Sequence, residues 1–291
     1  YFTIMKAQLL HLNSNPEHSF NARRDNTPQY HNLWHYHEEL ELIYFAKGSG
    51  TQFIGDSVRR FESGDITLVG SNLPHYWLFD AIYLQQEKAE CADIRVIHFK
   101  ENFWGNDFIN LPENKAIKEL IRVSKRGISL AAHSRLKTMQ LIDAILTTTG
   151  TPRIIHLLEI LTCISAEEKH DLLTSATFTI QLQDQDANRM QVAMHFIGEN
   201  YRDQIRLQDL ASLTGMTPNS FCRFFKSQTG KTLFQFLIEM RVKTACNLLI
   251  ENKQTVKQIC FEAGFQNFSS FHKYFKTVTG TTPLNFQRSK A

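Results

Sequence analysis

The sequence lacks an uninterrupted apolar run long enough to cross a membrane. The stretch 157–164, among the longest apolar ones, is interrupted by Glu159, whereas a membrane helix needs about 20 mostly apolar residues. It also lacks a basic segment followed by an apolar one near its start, so we expect no secretory leader. Because Tyr1 is not a natural first residue, we expect translation to start at Met5. These absences argue against a membrane or secreted protein.

Cysteine is scarce, and its spacing fits neither a disulfide framework nor a zinc ribbon. The five residues form no CxxC pair, and their number is odd: Cys91, Cys163, Cys222, Cys246 and Cys260. This pattern is typical of a reducing compartment, so we predict a cytoplasmic protein. It leaves open whether each thiol is buried packing or reactive.

Net charge is small, but it is distributed unevenly along the chain. The 291 residues are enough for two domains, and 42% hydrophobic with 21% charged residues is typical of a soluble globular protein. Residues 188–291 hold 14 Lys and Arg against 6 Asp and Glu, and the rest of the chain holds 18 against 23. The total of +3 therefore conceals a basic module joined to an acidic one. Binding to phosphate requires such a module.

The basic part contains an internal repeat with the pattern of a helix-turn-helix. The segments 207–226 and 256–276 each predict a short amphipathic helix, a glycine and a second helix. The glycines, Gly215 and Gly264, allow the chain to turn sharply because glycine adopts left-handed dihedral angles at little cost. The repeat therefore predicts two helix-turn-helix units.

The second helix of each unit has one apolar face and one polar, basic face. We predict that each starts at an N-cap residue, Thr217 before Pro218 in the first unit and Asn267 in the second. The predicted buried residues are Phe221, Phe224, Phe225, Phe271, Tyr274 and Phe275. The predicted DNA-binding residues are Asn219, Cys222, Arg223, Lys226, Phe268, Ser269, Lys273 and Lys276. The alternative is a pair of ordinary helical hairpins, against which the charge asymmetry argues.

The same segment resembles the AraC/XylS family of bacterial transcription regulators. The most specific matches are at 263–265, 269–271, 275–276, 280–283 and 286–288. The resemblance implies that one long helix, here 234–250, joins the two units and holds their recognition helices about 34 Å apart. One chain would then reach two successive major grooves. By position in the family motif, Arg223 is the best candidate to read a guanine.

Residues 29–100 contain many short segments that predict β-strands separated by turn signals. The predicted strands are 40–45, 50–54, 58–61, 65–69 and 94–99. Many short strands at close spacing favour a barrel or jelly roll.

Two imidazoles and a carboxylate are predicted to share one face of a strand, because their residue numbers are all odd. These are His35, His37 and Glu41, and His75 from a neighbouring strand would complete the set. Such mixed nitrogen and oxygen ligands suit zinc, nickel, manganese or iron, so we predict a divalent metal as cofactor. The alternative is that these side chains only line an effector pocket or hydrogen-bond one another.

The spacing of these residues also resembles that of the cupin motifs. The first motif matches from His35 to Gly48, and 64–75 matches the second in length. Gly70 and Asn72 stand where the second motif has proline and glycine, which makes His75 the least secure ligand. Four nearby aromatic residues are predicted to stack on an effector, or else to be plain core: Trp34, Tyr44, Phe53 and Trp77.

From residue 112 the pattern becomes helical. Predicted helices cover 114–125, 134–147 and 151–164. Their predicted apolar residues are Ile117, Leu120, Ile121, Leu136, Met139, Leu141, Ile142, Ile145, Leu146, Ile155, Leu158 and Leu161. In proteins that this chain resembles, such helices pack on the barrel and often form the dimer contact.

The predicted fold class is therefore α+β with several domains. We expect a cupin-like jelly-roll barrel (1–110), a helical segment for dimerisation (111–173), a linker (174–187) and an all-α double helix-turn-helix domain (188–291). The predicted function is sequence-specific regulation of transcription in response to a small molecule, without enzymatic activity. The predicted partners are double-stranded DNA, an effector, RNA polymerase and a second copy of the chain. We expect no interaction with a membrane. The alternative is a metal-dependent cupin dioxygenase or isomerase with a DNA-binding tail.

Overall fold

A computed structural model describes residues 18–28, 31, 34–84, 92–176, 178 and 184–290. The predictions for Tyr1, Met5 and Cys91, and for much of the linker, lie outside these residues. The chain divides into two compact units, 1–180 and 181–291. None of the helices in the described ranges is both long and apolar enough to span a membrane.

The first unit is built on two antiparallel sheets. Its strands are β1 (Asn21–Asp25), β2 (Leu40–Lys47), β3 (Gly50–Ile54), β4 (Ser57–Phe61), β5 (Ile66–Val69), β6 (His75–Phe79), β7 (Asp93–Phe99), β8 (Ile128–Ser129) and β9 (Asp171–Leu172). In the described part of the chain, one sheet has the order β1-β7-β2-β5-β8-β9 and the other β4-β3-β6. The five predicted strands are present, and the predicted fold class is confirmed.

Strand alternation divides the apolar side chains of this unit into two clusters. Along β2, Ile43 and Phe45 pack between the sheets with Trp77 of β6. Leu42 and Tyr44, which alternate with them, pack instead against the helices that follow the barrel. Odd-numbered residues of β2 therefore point into the barrel.

In the described part of this unit the helices are α1 (Ala81–Leu84), α2 (Asn106–Ile109), α3 (Lys115–Ser124), α4 (Ala132–Thr147) and α5 (Thr151–Ser165), with a 3-10 turn at Pro112–Asn114. The predicted inner face of α3 is buried, but the predicted faces of α4 and α5 are partly wrong. Leu136 is 64% exposed and Ile155 48% exposed, while Leu157 and Ile160 are fully buried. Apolar residues surround most of α5, so periodicity alone does not select the face that packs.

The second unit is all-α. Its helices are α6 (Asp184–Asn200), α7 (Leu207–Leu213), α8 (Pro218–Thr229), α9 (Leu233–Glu251), α10 (Val256–Glu262), α11 (Phe268–Thr279) and α12 (Pro283–Lys290). The α9 helix is the predicted connecting helix, and its Val242 and Ala245 pack against Phe271 and Phe275 of α11. The α6 helix begins at Asp184, inside the segment predicted as linker. That segment has few large apolar residues, so it shows no apolar stripe from which a helix could be predicted.

Candidate functional sites

The four predicted metal ligands lie together inside the barrel. His35, His37, Glu41 and His75 are all buried, and their candidate ligand atoms lie within 4.8 Å of one another. His35 and His75 are held by a two-way backbone bridge, with N–H to carbonyl distances of 3.1 and 2.9 Å. Strand β2 directs Glu41 inward, but it begins at Leu40, so the prediction that one strand carries His35, His37 and Glu41 is wrong.

The turn that departs from the cupin pattern still forms before His75. Asn72 adopts a left-handed conformation with φ 58°, which asparagine tolerates better than most residues and which glycine would otherwise supply. Its backbone N–H donates to the carbonyl of His37 at 2.7 Å. Gly70 lies where a Cβ would come within 2.5 Å of the backbone at Ser124, so only glycine fits there. Both departures are therefore compatible with the position of His75.

Two of the histidines have their tautomers selected by backbone carbonyls. Nδ1 of His37 donates to Glu39 O at 2.9 Å, and Nδ1 of His75 donates to Leu73 O at 2.8 Å. In the neutral imidazole, each Nε2 then carries a lone pair. These nitrogens lie 3.2 and 3.6 Å from the same oxygen, Oε2 of Glu41. Lone pairs that converge on a carboxylate require a cation between them or protons on the rings.

His98 is a fifth member of this group, and sequence reasoning missed it. It lies directly opposite Glu41 in the register of β2 and β7. Arg23 lies 3.2 Å from its Nδ1, and because arginine only donates, that nitrogen accepts. Nε2–H of His98 therefore donates to Glu41 Oε2 at 2.6 Å. His98 follows the apolar Ile94 and Val96 at intervals of two residues on β7, so it shares their face of the strand. This spacing is the signal that could have identified it.

Protonation of this pair follows from burial and hydrogen bonding. Burial lowers the pKa of His98 to about 4, against the opposing effect of Glu41, so the ring is neutral near pH 7. Burial would raise the pKa of Glu41, but His98, which donates to it, holds it well below its ordinary value. The cluster is therefore an ionised carboxylate surrounded by imidazoles.

The donor set fits a divalent metal ion. Among the residues that the structure describes, Oε1 of Glu41 and Nε2 of His75 are buried without a hydrogen-bond partner, and such atoms are rare unless an ion or water satisfies them. Ligands about 2.1 Å from a metal lie at most about 4.2 Å apart, so the observed spread of 4.8 Å needs only a small contraction. Three imidazoles and a carboxylate suit zinc, nickel, manganese or iron.

The four aromatic residues predicted to stack on an effector do not form one surface. All four are buried: Trp34, Tyr44, Phe53 and Trp77. Trp77 packs between the sheets, 4.8 Å from the ring of His75. Tyr44 lies in the cluster beneath the helices, and Phe53 faces Tyr76 with ring centroids 5.4 Å apart. Strand alternation separates them, which a prediction from proximity in sequence did not take into account.

The two helix-turn-helix units have matching turns and caps. Thr217 and Asn267 each accept a hydrogen bond from a backbone N–H three residues on, as N-caps do. Gly215 and Gly264 adopt left-handed dihedral angles, with φ 65° and 92°. Each turn is closed by a backbone hydrogen bond to the carbonyl five residues earlier, from Met216 and from Phe265.

The predicted DNA-facing residues share the outer faces of α8 and α11. The opposite faces are buried through Phe221, Phe225, Phe271 and Phe275. Tyr274 is only partly buried, against Phe234 of α9. The exposed residues are Asn219, Cys222, Arg223 and Lys226 on α8 and Phe268, Ser269, Lys273 and Lys276 on α11. Arg223 corresponds to Lys273 and Lys226 to Lys276, so the two helices present similar charge.

Comparison with known families matches both units. Residues 17–146 match an AraC-like ligand-binding domain, and residues 210–289 match a helix-turn-helix domain. Together these matches cover more than two thirds of the sequence, and the chain belongs to the AraC family of transcription regulators.

Individual relatives match over different shares of their length. The chain is 20% identical over 262 residues to the transcriptional activator RhaR of Mannheimia succiniciproducens, covering 87% of this chain and 86% of that protein. It is 28% identical over 103 residues to the bifunctional transcriptional activator/DNA repair enzyme AdaA of Bacillus subtilis, covering 35% of this chain and 49% of that protein. Matches to the first curated relatives cover 35 to 59% of their length.

Among solved structures, the DNA-binding domain of AdpA in complex with target DNA is 26% identical, with a TM-score of 0.32. The match covers 33% of this chain and 87% of that one. ToxT of Vibrio cholerae is 13% identical over 94% of this chain and 98% of its own, with a TM-score of 0.36.

Proposed function

We propose that this chain regulates transcription by binding two successive major grooves of duplex DNA through α8 and α11. The observation that carries the proposal is the pair of exposed faces, which present a cation at equivalent positions of two repeated helices. Such second helices read base edges in the major groove. A homodimer and a contact with RNA polymerase stay predictions of the family resemblance. The family is one of transcription regulators, which supports this function over that of a cupin enzyme.

Arg223 provides the test of sequence reading. Its side chain is exposed on α8 and can offer two parallel hydrogen bonds to a guanine. After selection of preferred DNA fragments from a random pool, Arg223→Ala should lose about 1–3 kcal/mol of binding on the selected site and relax one base position. Arg122→Ala, on the exposed face of α3, is the control. An equal loss on all sequences would make Arg223 a phosphate contact instead.

The barrel is proposed to hold a divalent metal through His35, His37, Glu41 and His75. The converging lone pairs and the unpartnered Glu41 Oε1 support this assignment over hydrogen bonding among the four side chains. When bound, the ion would supply a Lewis-acid centre able to hold an anionic or hydroxylated effector. His37 and His75 are already oriented for it by their backbone hydrogen bonds.

Elemental analysis of the protein purified without an affinity tag tests this proposal. We expect up to one divalent ion per chain, and loss of that ion in His37→Ala. His133→Ala, whose side chain is 73% exposed, should keep it. If no metal binds after incubation with zinc, nickel, manganese and iron(II), the cluster is a polar pocket of hydrogen-bonded side chains.

A further inference from the structure

A cavity of about 490 Å³ lies in the first unit, and none of the four candidate metal ligands lines it. It is bounded by β1, the end of β7 and the junction between α4 and α5. Its volume is in the range of small-molecule sites in proteins. Apolar side chains form much of its wall: Phe20, Phe99, Phe103, Ile145 and Leu146.

The cavity contains a buried arginine without an acidic partner. Arg153 lines it and is only 8% exposed. Its guanidinium lies 4.6 Å above the ring of Phe20, and no carboxylate among the described residues pairs with it. Burial lowers the pKa of Arg153. Buried charges are normally paired, so a guanidinium without a partner among the described residues offers a position for an anionic group.

The start of α5 adds positive potential near Arg153. The α5 helix begins at Thr151, and its N-cap Gly150 provides no side chain to satisfy the first N–H groups. Such a helix start favours an anion. Lys100 also lines the cavity, and its ammonium lies 3.6 Å from the exposed Glu38. Glu39 is an acidic lining residue, but its carboxylate is directed toward His37, 4.0 Å from Nδ1.

We propose that this cavity binds a small organic carboxylate with an apolar body. The carboxylate would pair with Arg153 near the start of α5, and the body would lie against Phe103 and Leu146. Guanidinium and carboxylate match in geometry and charge, and the pair would be strengthened by exclusion of water. The proposal names the class of effector for the proposed regulator and rests on that function.

One wall of the cavity links it to the metal cluster. His98 lines the cavity and also donates to Glu41. A ligand that shifts His98 would therefore alter the hydrogen bond that orients the carboxylate. Through His98, a ligand in the cavity would therefore act on the Glu41 carboxylate inside the barrel.

Isothermal titration calorimetry on the full chain near pH 7 tests the proposal, with 3-phenylpropionate as probe. We expect it to bind one per chain, and 3-phenylpropanamide and acetate to bind at least about 10-fold more weakly, since one lacks the charge and the other the apolar body. Arg153→Gln should reduce binding of the acid to that of the amide, and Arg153→Lys should retain part of it. Arg122→Gln should change nothing.

Leu146→Trp provides an independent test, because it fills the cavity without removing the charge. It should abolish binding of 3-phenylpropionate while thermal melting shows a folded protein. Equal binding of acid and amide, or unchanged binding in both Arg153→Gln and Leu146→Trp, would overturn the proposal. Because DNA binding is not measured here, such a failure would leave the proposed regulator function standing.

Discussion

At the scale of single residues, hydrogen-bond direction determines what each histidine of the barrel can do. Backbone carbonyls hold protons on Nδ1 of His37 and His75, which leaves Nε2 free to bind a metal. Arg23 has the opposite effect on His98, because it forces Nδ1 to accept and Nε2 to donate. His98 is therefore a positioning residue for Glu41, although it lies as close to the cluster as the ligands do.

This assignment predicts a graded effect on metal affinity. His98→Phe keeps an aromatic ring but removes the hydrogen bond to Glu41, so affinity should fall about 10- to 100-fold. His37→Ala should abolish binding, because it removes a ligand. Competition with a chromogenic chelator measures both, with His133→Ala as control. Equal and complete loss in His98→Phe and His37→Ala would make His98 a ligand.

The sequence was sufficient to select the four candidate ligands but not His98. Motif spacing selects His35, His37, Glu41 and His75, although only Glu41 lies on β2 and His35 is held by its bridge to His75. His98 is 57 residues from Glu41, and only the pairing register of β2 with β7 places it opposite. Register over such a distance depends on the whole sheet and cannot be read from local pattern.

At the scale of elements, the two turns of the helix-turn-helix units are equivalent in pattern but differ in their surroundings. Both glycines have left-handed dihedral angles. A Cβ at Gly215 would meet no atom of the described residues within 4 Å, whereas one at Gly264 would lie 2.6 Å from the backbone of Arg202. The repeat therefore predicts the turns, and packing against the loop that follows α6 makes substitution of Gly264 more costly than that of Gly215.

Alanine substitutions separate these two contributions. Gly215→Ala should cost about 1–2 kcal/mol of unfolding free energy, because it strains only the local backbone. Gly264→Ala should cost about 1–3 kcal/mol more, because the methyl group also overlaps a backbone segment that cannot move freely. Urea unfolding of the fragment 181–291 measures the difference. Equal costs would show that the contact with Arg202 is relieved easily.

The helices of the first unit show where periodicity fails. For α3 it selects the buried face correctly, since Ile117, Leu120 and Ile121 are all buried. For α5, apolar residues occur on several faces, and the helix buries Leu157 and Ile160 while Ile155 stays exposed. Which stripe packs is decided by the position of α5 against α3 and α4, which is tertiary information.

At the scale of the whole molecule, the division of charge follows the division into units. The basic segment 188–291 lies within the second compact unit, which has its own apolar core in α9, α10 and α11. Neutralising about 6 phosphates would give a slope near −5 for log affinity against log salt. Fluorescence anisotropy with the fragment 181–291 measures this slope. An affinity that does not change between low and moderate salt would remove the electrostatic basis of the proposal.

Coupling between the barrel and the DNA-binding helices has a thermodynamic condition. An effector can change DNA affinity only if it binds two arrangements of the protein with different affinity. Anisotropy titrations of the full chain with and without added metal therefore measure the coupling directly. No change in DNA affinity at saturating metal would make the metal structural rather than regulatory.

The most direct test of the central claim is a hydroxyl-radical footprint of the full chain on its selected DNA site. Because α8 and α11 are joined by one helix and present equivalent exposed faces, we predict two protected regions on one side of the duplex, about 10 base pairs apart. Arg223→Ala should weaken one region and Lys273→Ala the other. A single protected region, or protection that spreads evenly along every DNA tested, would contradict the two-helix account.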